Sequence, residues 1–163
     1  PLYETPIGFK HICELMLEKQ ILMGGEESGG LGINGHIPER DGVLMGLLLL
    51  ETVAVTGKGL RQQLEEIMDE IGHFYYHRID THISSEAKEA LLQRLRNDPP
   101  ATIAGRTVAT TNFSDGFKFV FDNGDWLLVR PSGTEPVLRL YSEAAESTMV
   151  DTLLRAARRI AGV

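Results

Sequence analysis

Two short stretches of this chain combine residue types that an ordinary loop has little use for. Residues 130–136 read Arg-Pro-Ser-Gly-Thr-Glu-Pro and follow the apolar run Trp126-Leu127-Leu128-Val129, so a strand end opens into a loop full of hydrogen-bond donors. The Arg130 guanidinium is a planar fork that matches two phosphate oxygens. Ser132 and Thr134 add hydroxyls, and Gly133 permits a positive φ with which successive backbone N–H groups converge on an anion. Pro131 and Pro136 stiffen the loop and reduce the entropy lost in ordering it. This is phosphate chemistry without a helix-based P-loop, although the same composition also makes a plain turn between strands. Residues 24–30, Gly-Gly-Glu-Glu-Ser-Gly-Gly, set two carboxylates and a hydroxyl among four glycines. Glycine-rich loops cost backbone entropy, and carboxylates accept hydrogen bonds from vicinal hydroxyls, so the chemistry on offer is sugar binding. A solvated acidic turn is the alternative.

The elements that must position these loops follow from periodicity and turn residues. Phe9, Ile12, Cys13 and Met16 fall on one face of a helix over 9–19, and Ile21–Met23 reads as a short buried strand leading into the glycine loop. Asp41 is placed to cap a helix from 42 to about 56 that ends at Gly57; it is apolar on most sides and is expected to be largely buried. A second helix spans Leu60–Ile71. Residues 74–83 read as a strand, and Ser85 is placed to cap a helix to Asn97 that Asp98-Pro99-Pro100 stops. Residues 106–142 form an antiparallel meander: Phe117, Phe119 and Phe121 alternate with Lys118, Val120 and Asp122, and Asn123-Gly124 turns the chain. A last helix covers about 147–161. The fold expected is a partial α/β domain followed by an α+β C-terminal domain, with an antiparallel or mixed sheet and helices on one face. Residues 1–57 form the first part, 58–72 a connecting helix and 73–163 the second part.

Composition narrows the function classes. The 163 residues carry 16 basic and 23 acidic side chains, a formal charge of −7. That disfavours nucleic acid and anionic membrane as partners, since both select basic surfaces. A small phosphate ligand needs only a local cluster of donors. Cys13 is the sole cysteine, which excludes an intrachain disulfide. The longest apolar run, Val43–Leu50, is far shorter than the ~20 residues that span a bilayer. A cytoplasmic protein is the expectation.

Gly-Glu-Glu-Ser-Gly at 25–29, His-Ile-Pro-Glu-Arg-Asp-Gly at 36–42 and Arg-Pro-Ser-Gly-Thr-Glu-Pro at 130–136, with Thr5-Pro6-Ile7-Gly8-Phe9-Lys10 ahead of them, stand together in one order. In that order they resemble the motifs of the alpha-D-phosphohexomutases, and the chain is most similar to the C-terminal part of a phosphoglucomutase/phosphomannomutase. The resemblance covers nearly all of the chain. It implies an enzyme that interconverts hexose 1-phosphates and hexose 6-phosphates through a phosphoserine and a bisphosphorylated sugar, with Mg2+ at the serine. The serine and an Asp-x-Asp-x-Asp metal loop belong to earlier domains of such enzymes, and neither motif is found here. The chain also begins with Pro1. It is therefore expected to be a piece of a longer protein, inactive alone, with the missing N-terminal domains and a hexose phosphate as partners. A non-catalytic phosphosugar-binding module and a phosphoglucosamine mutase are the alternatives, and glucose against mannose preference is not readable.

Residue by residue, the resemblance assigns phosphate contact to Arg130, Ser132, Gly133, Thr134 and Arg139. It assigns sugar contact to Glu26, Ser28, Arg40 and Lys10. No catalytic residue and no metal ligand is assigned within this chain. Lys10 stands in the first turn of its helix, where the dipole disfavours a cation, and an i+4 pair from Lys10 to Glu14 has the weaker orientation. A salt bridge of Arg40 with Glu39 or Asp41 is the competing role for that residue. Glu135 is expected to face away from a phosphate or to pair with an arginine. Gly30 and Ile7 occupy positions where related enzymes carry polar side chains. His36 is left open, and His73, His77 and His82 have no metal-ligand spacing.

Overall fold

The computed structural model describes residues 1–133 and 135–163, which divide into two compact units, Pro1–Glu70 and Ile71–Val163. The first unit contains α1 (Phe9–Glu18), β1 (Met23–Gly25), β2 (Leu31–Ile33), α2 (Gly42–Thr56) and most of α3 (Leu60–Ile71). β1 and β2 form an antiparallel hairpin in which Gly24 faces Gly32. Those glycines make a flat seat for α1. A Cβ on Gly24 would lie 2.3 Å from Ile12 Cγ2, and one on Gly32 would lie 3.1 Å from the Phe9 ring. Phe9 and Ile12 are accordingly the buried residues of α1.

Two expectations for this unit are corrected. The strand forms at Met23–Gly25 rather than 21–23, and Leu22 and Met23 are exposed. α2 begins and ends as its sequence dictates: Asp41 accepts from the Val43 and Leu44 N–H groups at 2.9 and 3.1 Å, and Gly57 closes the helix with φ 68°. Yet none of its residues is buried; Val43 is 77% exposed and Val55 80%. A helix that is apolar on every side needs cover on every side, and within this unit the sheet has only two strands. α3 likewise buries nothing. Among the described residues, no single helix is long and apolar enough to cross a membrane.

The second unit is an antiparallel sheet backed by two helices. Its elements are β3 (Tyr75–His82), α4 (Ser85–Asn97), β4 (Thr102–Ile103), β5 (Arg106–Asn112), β6 (Phe117–Phe121), β7 (Trp126–Pro131), β8 (Val137–Ala144) and α5 (Ser147–Ala161). The strand order is β3-β8-β7-β6-β5-β4, so β4 to β8 form a meander and β3, the first strand of the unit, adds beside β8, the last. Phe117, Phe119 and Phe121 alternate inward with Leu127, Val129, Leu138 and Leu140 to form the core with Leu91 and Leu95 of α4 and Leu153 and Leu154 of α5. Burying one such side chain contributes about 1.5–3 kcal/mol. Ser84, not Ser85, caps α4 by accepting the Ala87 N–H at 3.2 Å.

The turn at Asn123-Gly124 has a structural role. Asp125 is 6% exposed, pairs with Arg106 and accepts the Ala145 N–H at 3.1 Å. Burial pushes its pKa up, but the Asn123 side chain, the Ala145 N–H and Arg106 outweigh burial and hold the carboxyl below the usual range.

Candidate functional site

In the first unit, residues 26–30 form the turn of the β1–β2 hairpin. The Glu26 N–H donates to the Gly30 carbonyl at 2.9 Å and the Gly29 N–H to the Glu26 carbonyl at 3.0 Å, with Gly29 at φ 94°. The segment after β2 folds back on this turn. There Arg40 Nη1 donates to Glu26 Oε2 at 2.9 Å, and the guanidinium stands 5.6 Å from the centre of the Phe9 ring. Arg40 crosses the turn above Gly30, where a Cβ would sit 3.1 Å from Arg40 Cδ and 3.2 Å from Glu26 Oε2. The principal partner of Arg40 is therefore Glu26, which joins two of the sugar-site residues named from the sequence; Glu39 lies farther, 3.8 Å from Arg40 Nε.

His36 resolves into a supporting role. Its Nε2 lies 2.9 Å from Asp41 Oδ2, the carboxylate that caps α2. The Leu44 N–H and the His36 ring hold the Asp41 carboxyl below its ordinary pKa. Ser28 and Glu27 are exposed at the tip of the turn. Lys10 is exposed on α1 beside Phe9 and makes no ion pair among the described residues; Glu14 is engaged by His11 at 3.5 Å. No described contact joins Lys10 to Glu26 or Arg40.

In the second unit, strand register builds the other site. Arg130 of β7 and Arg139 of β8 are directly opposed, and Asp80 of β3 is directly opposed to Arg139 on its other side. These side chains share the sheet face away from the core, because Val129, Leu138 and Leu140 take the inner face. Like charges directly across a ladder destabilise it, so this arrangement needs compensation. Asp115, in the β5–β6 turn, supplies part: Arg130 Nε donates to both its carboxylate oxygens at 3.0 Å. Gly116 lets that turn approach so closely, with φ 91° and no room for a Cβ, which would lie 2.7 Å from the Val129 carbonyl oxygen. Arg139 is held by Glu135 at 3.2 Å, as read from the sequence, while its buried Nε makes no hydrogen bond and has Asp80 at 3.7 Å.

The loop between these strands differs from expectation in detail. Ser132 is buried; its N–H donates to the Val137 carbonyl at 2.8 Å and its Oγ accepts the Glu135 N–H at 3.2 Å. Those two N–H groups stabilise the loop itself instead of converging on a ligand. Gly133 does not adopt a positive φ; what it provides is open space, since a Cβ added there would meet no atom within 4 Å. Thr134 lies outside the described residues. Sequence reasoning missed Lys88 of α4, whose Nζ donates to the Ser132 carbonyl at 3.3 Å. The signal was present, for Lys88 sits in the first turn of its helix, the same dipole-disfavoured position that marked Lys10. Among the described residues no group of three His, Cys, Asp or Glu side chains is placed to hold a metal ion.

The alpha/beta/alpha domain III of phosphoglucomutase/phosphomannomutase matches residues 1–71, and the C-terminal domain of phosphoglucomutase/phosphomannomutase matches residues 84–160. The chain belongs to the phosphohexomutase family. Similar proteins include a phosphoglucomutase/phosphomannomutase of Thermococcus kodakarensis, 32% identical over 86% of this chain and 28% of its own length. A phosphoglucosamine mutase of Limosilactobacillus fermentum is 33% identical over 90% of this chain and 28% of its length. A crystal structure from Thermus thermophilus, assigned as a phosphomannomutase, superposes on 98% of this chain and 31% of that one, with 38% identity and a TM-score of 0.74. The chain thus spans about a third of the length of these phosphohexomutases. The Glu26–Arg40 pair falls in the domain III match and the opposed arginines in the C-terminal match.

Proposed function

We propose that this chain is the substrate-binding C-terminal portion of a phosphohexomutase that interconverts hexose 1-phosphate and hexose 6-phosphate. The observation that carries the reading is the direct opposition of Arg130 and Arg139 beside a loop of small residues. Two guanidinium groups held together on the outer face of a sheet are matched to an oxyanion with several acceptors. In this reading Arg130, Ser132, Gly133, Thr134 and Arg139 clamp the phosphate that is not reacting. Glu26, Ser28, Arg40 and Lys10 orient the sugar through its hydroxyls; Arg40 stiffens the Glu26 carboxylate by pairing with one of its oxygens.

Phosphoryl transfer depends mainly on positioning and electrostatics. Binding energy from the remote phosphate can be realised in the transition state and so serve the chemical step. The phosphoserine and the Mg2+ of the reaction would belong to domains outside this chain. Its own described residues do not fit a metal, and none of the roles above runs through one. The portion alone is accordingly inactive, and the parent enzyme acts in the cytoplasm. Glucosamine phosphate is the second substrate reading, favoured by phosphoglucosamine mutases among the similar proteins.

The test is a mutase assay of the natural protein that contains this sequence, with glucose, mannose and glucosamine 1-phosphates, beside the purified 163-residue chain. Conversion of one of these by the longer protein and none by the chain is expected. Turnover by the isolated chain, or no turnover of any of the three by the longer protein, would overturn the reading.

A further inference from the structure

We propose that Lys88 is a third cation of the phosphate site, delivered from α4 rather than from the strands that carry Arg130 and Arg139. The inference rests on the phosphate-loop reading above and adds a contact to it. Lys88 is a half-buried residue of α4, and the one acceptor of its ammonium among the described residues is the uncharged Ser132 carbonyl, at 3.3 Å. A cation held at the loop with a single neutral acceptor has donors left for an anion, and no carboxylate among the described residues pairs with it.

The residue just ahead of this helix is fixed to the end of the loop. The Ile83 N–H donates to the Pro136 carbonyl at 3.1 Å, and Ser84 then caps α4 immediately beyond. The positive end of the helix and the Lys88 charge therefore meet the same loop. Without an anion these fields oppose one another, and with one they add.

The local charge balance points the same way. Asp115 serves Arg130, Glu135 serves Arg139, and Asp80 is held by both oxygens on Arg78 at 2.7 Å. Four cations, Arg78, Lys88, Arg130 and Arg139, thus meet three carboxylates in these contacts. A bound phosphate reverses that surplus. Lys88 also touches Ser132 at the buried start of the loop.

The experiment uses the natural full-length protein, inorganic phosphate as the probe, and Lys88→Met, Lys88→Arg and Arg130→Ala in parallel. Lys88→Met is expected to weaken phosphate binding and raise KM for hexose phosphate roughly tenfold, with a smaller change in kcat, while Lys88→Arg retains most of the affinity. In the unaltered protein, saturating phosphate is expected to slow acylation of Lys88, read by mass spectrometry. If Lys88→Met keeps its phosphate affinity while Arg130→Ala loses it, Lys88 is only a tether for the loop and the proposal fails. If neither variant changes phosphate affinity, the phosphate-loop reading fails and takes the proposal with it. Acylation of Lys88 at an unchanged rate under saturating phosphate also overturns the proposal, and requires no variant to fold.

Discussion

The two units of this chain invest their apolar residues differently. The second unit closes a core: Phe119, Leu127, Val129, Leu138, Leu140 and Leu153 have essentially no exposure. The first unit has more leucine in one helix than the second has in its sheet, yet α2 buries none of it. Both units carry a charged site at a turn. In the second, the site is bolted to strands whose other face is the core. In the first, it stands on a two-stranded hairpin seated on α1. Precision in a binding site comes from what lies behind it, and here only one of the two sites has its backing within these residues.

Core substitutions break the comparison most sharply. Phe119→Ala is expected to cost about 3–5 kcal/mol, whereas Val55→Ala on the exposed side of α2 stays within about 0.5 kcal/mol. Urea denaturation of this chain, followed by Trp126 fluorescence and far-UV circular dichroism, compares the two. A cost above about 1 kcal/mol for Val55→Ala in the longer protein alone would locate the cover of α2 outside residues 1–163.

The sites differ next. In the full-length protein, Arg130→Ala is expected to lower kcat/KM by about 2–5 kcal/mol, because its Asp115 partner is left without the guanidinium as well as the substrate phosphate. Arg40→Ala, removing a guanidinium whose side chain is 56% exposed, is expected to cost about 1.5 kcal/mol. Equal losses would mean that the hairpin is as well supported as the sheet.

Two glycines sharpen the account of the phosphate loop. Gly116→Ala must displace the backbone of β7 and is expected to destabilise the fold by about 1–3 kcal/mol. Gly133→Ala meets open space and should leave the melting temperature unchanged, so any loss of hexose phosphate affinity in that variant reports ligand approach.

The smallest effect is a pH slope. Asp125 has a depressed folded pKa, so its contribution is present above the unfolded value of about 4 and is lost as pH falls through the lower folded value. Melting temperatures between about pH 6 and 3 should fall more steeply for the unaltered chain than for Asp125→Asn. Asp41→Asn in the first unit should flatten the slope as well, since the Asp41 carboxyl is also held below its ordinary value, while asparagine keeps the helix cap at neutral pH.

Much of this was legible in the sequence for local reasons. Helix ends were marked by Asp41, Gly57 and the Asp98-Pro99-Pro100 stop, and strand alternation by Phe117, Phe119 and Phe121. Register was not legible, because it is fixed by packing across the sheet. The opposition of Arg130 to Arg139, with Asp80 alongside, therefore emerges only in the fold. The same holds for Asp115 and Lys88, which reach the loop from elements remote in sequence. The exposure of α2 was not legible because apolar content states a demand for partners and says nothing of where they are. The φ of Gly133 was not legible because a glycine grants freedom in either direction.

The pairing of β3 with β8 has a consequence for biosynthesis. Asp80 leaves the ribosome well before Arg139, and the two can meet only after β8 is released, nearly at the end of this sequence. Until then the Arg130 strand has an open edge, and closing so long a loop is slow compared with forming a hairpin. The row of Asp80, Arg139 and Arg130 is thus among the last parts of the domain to be assembled. A chain interrupted before residue 137 would carry Arg130 without the strand that brings Arg139 to it.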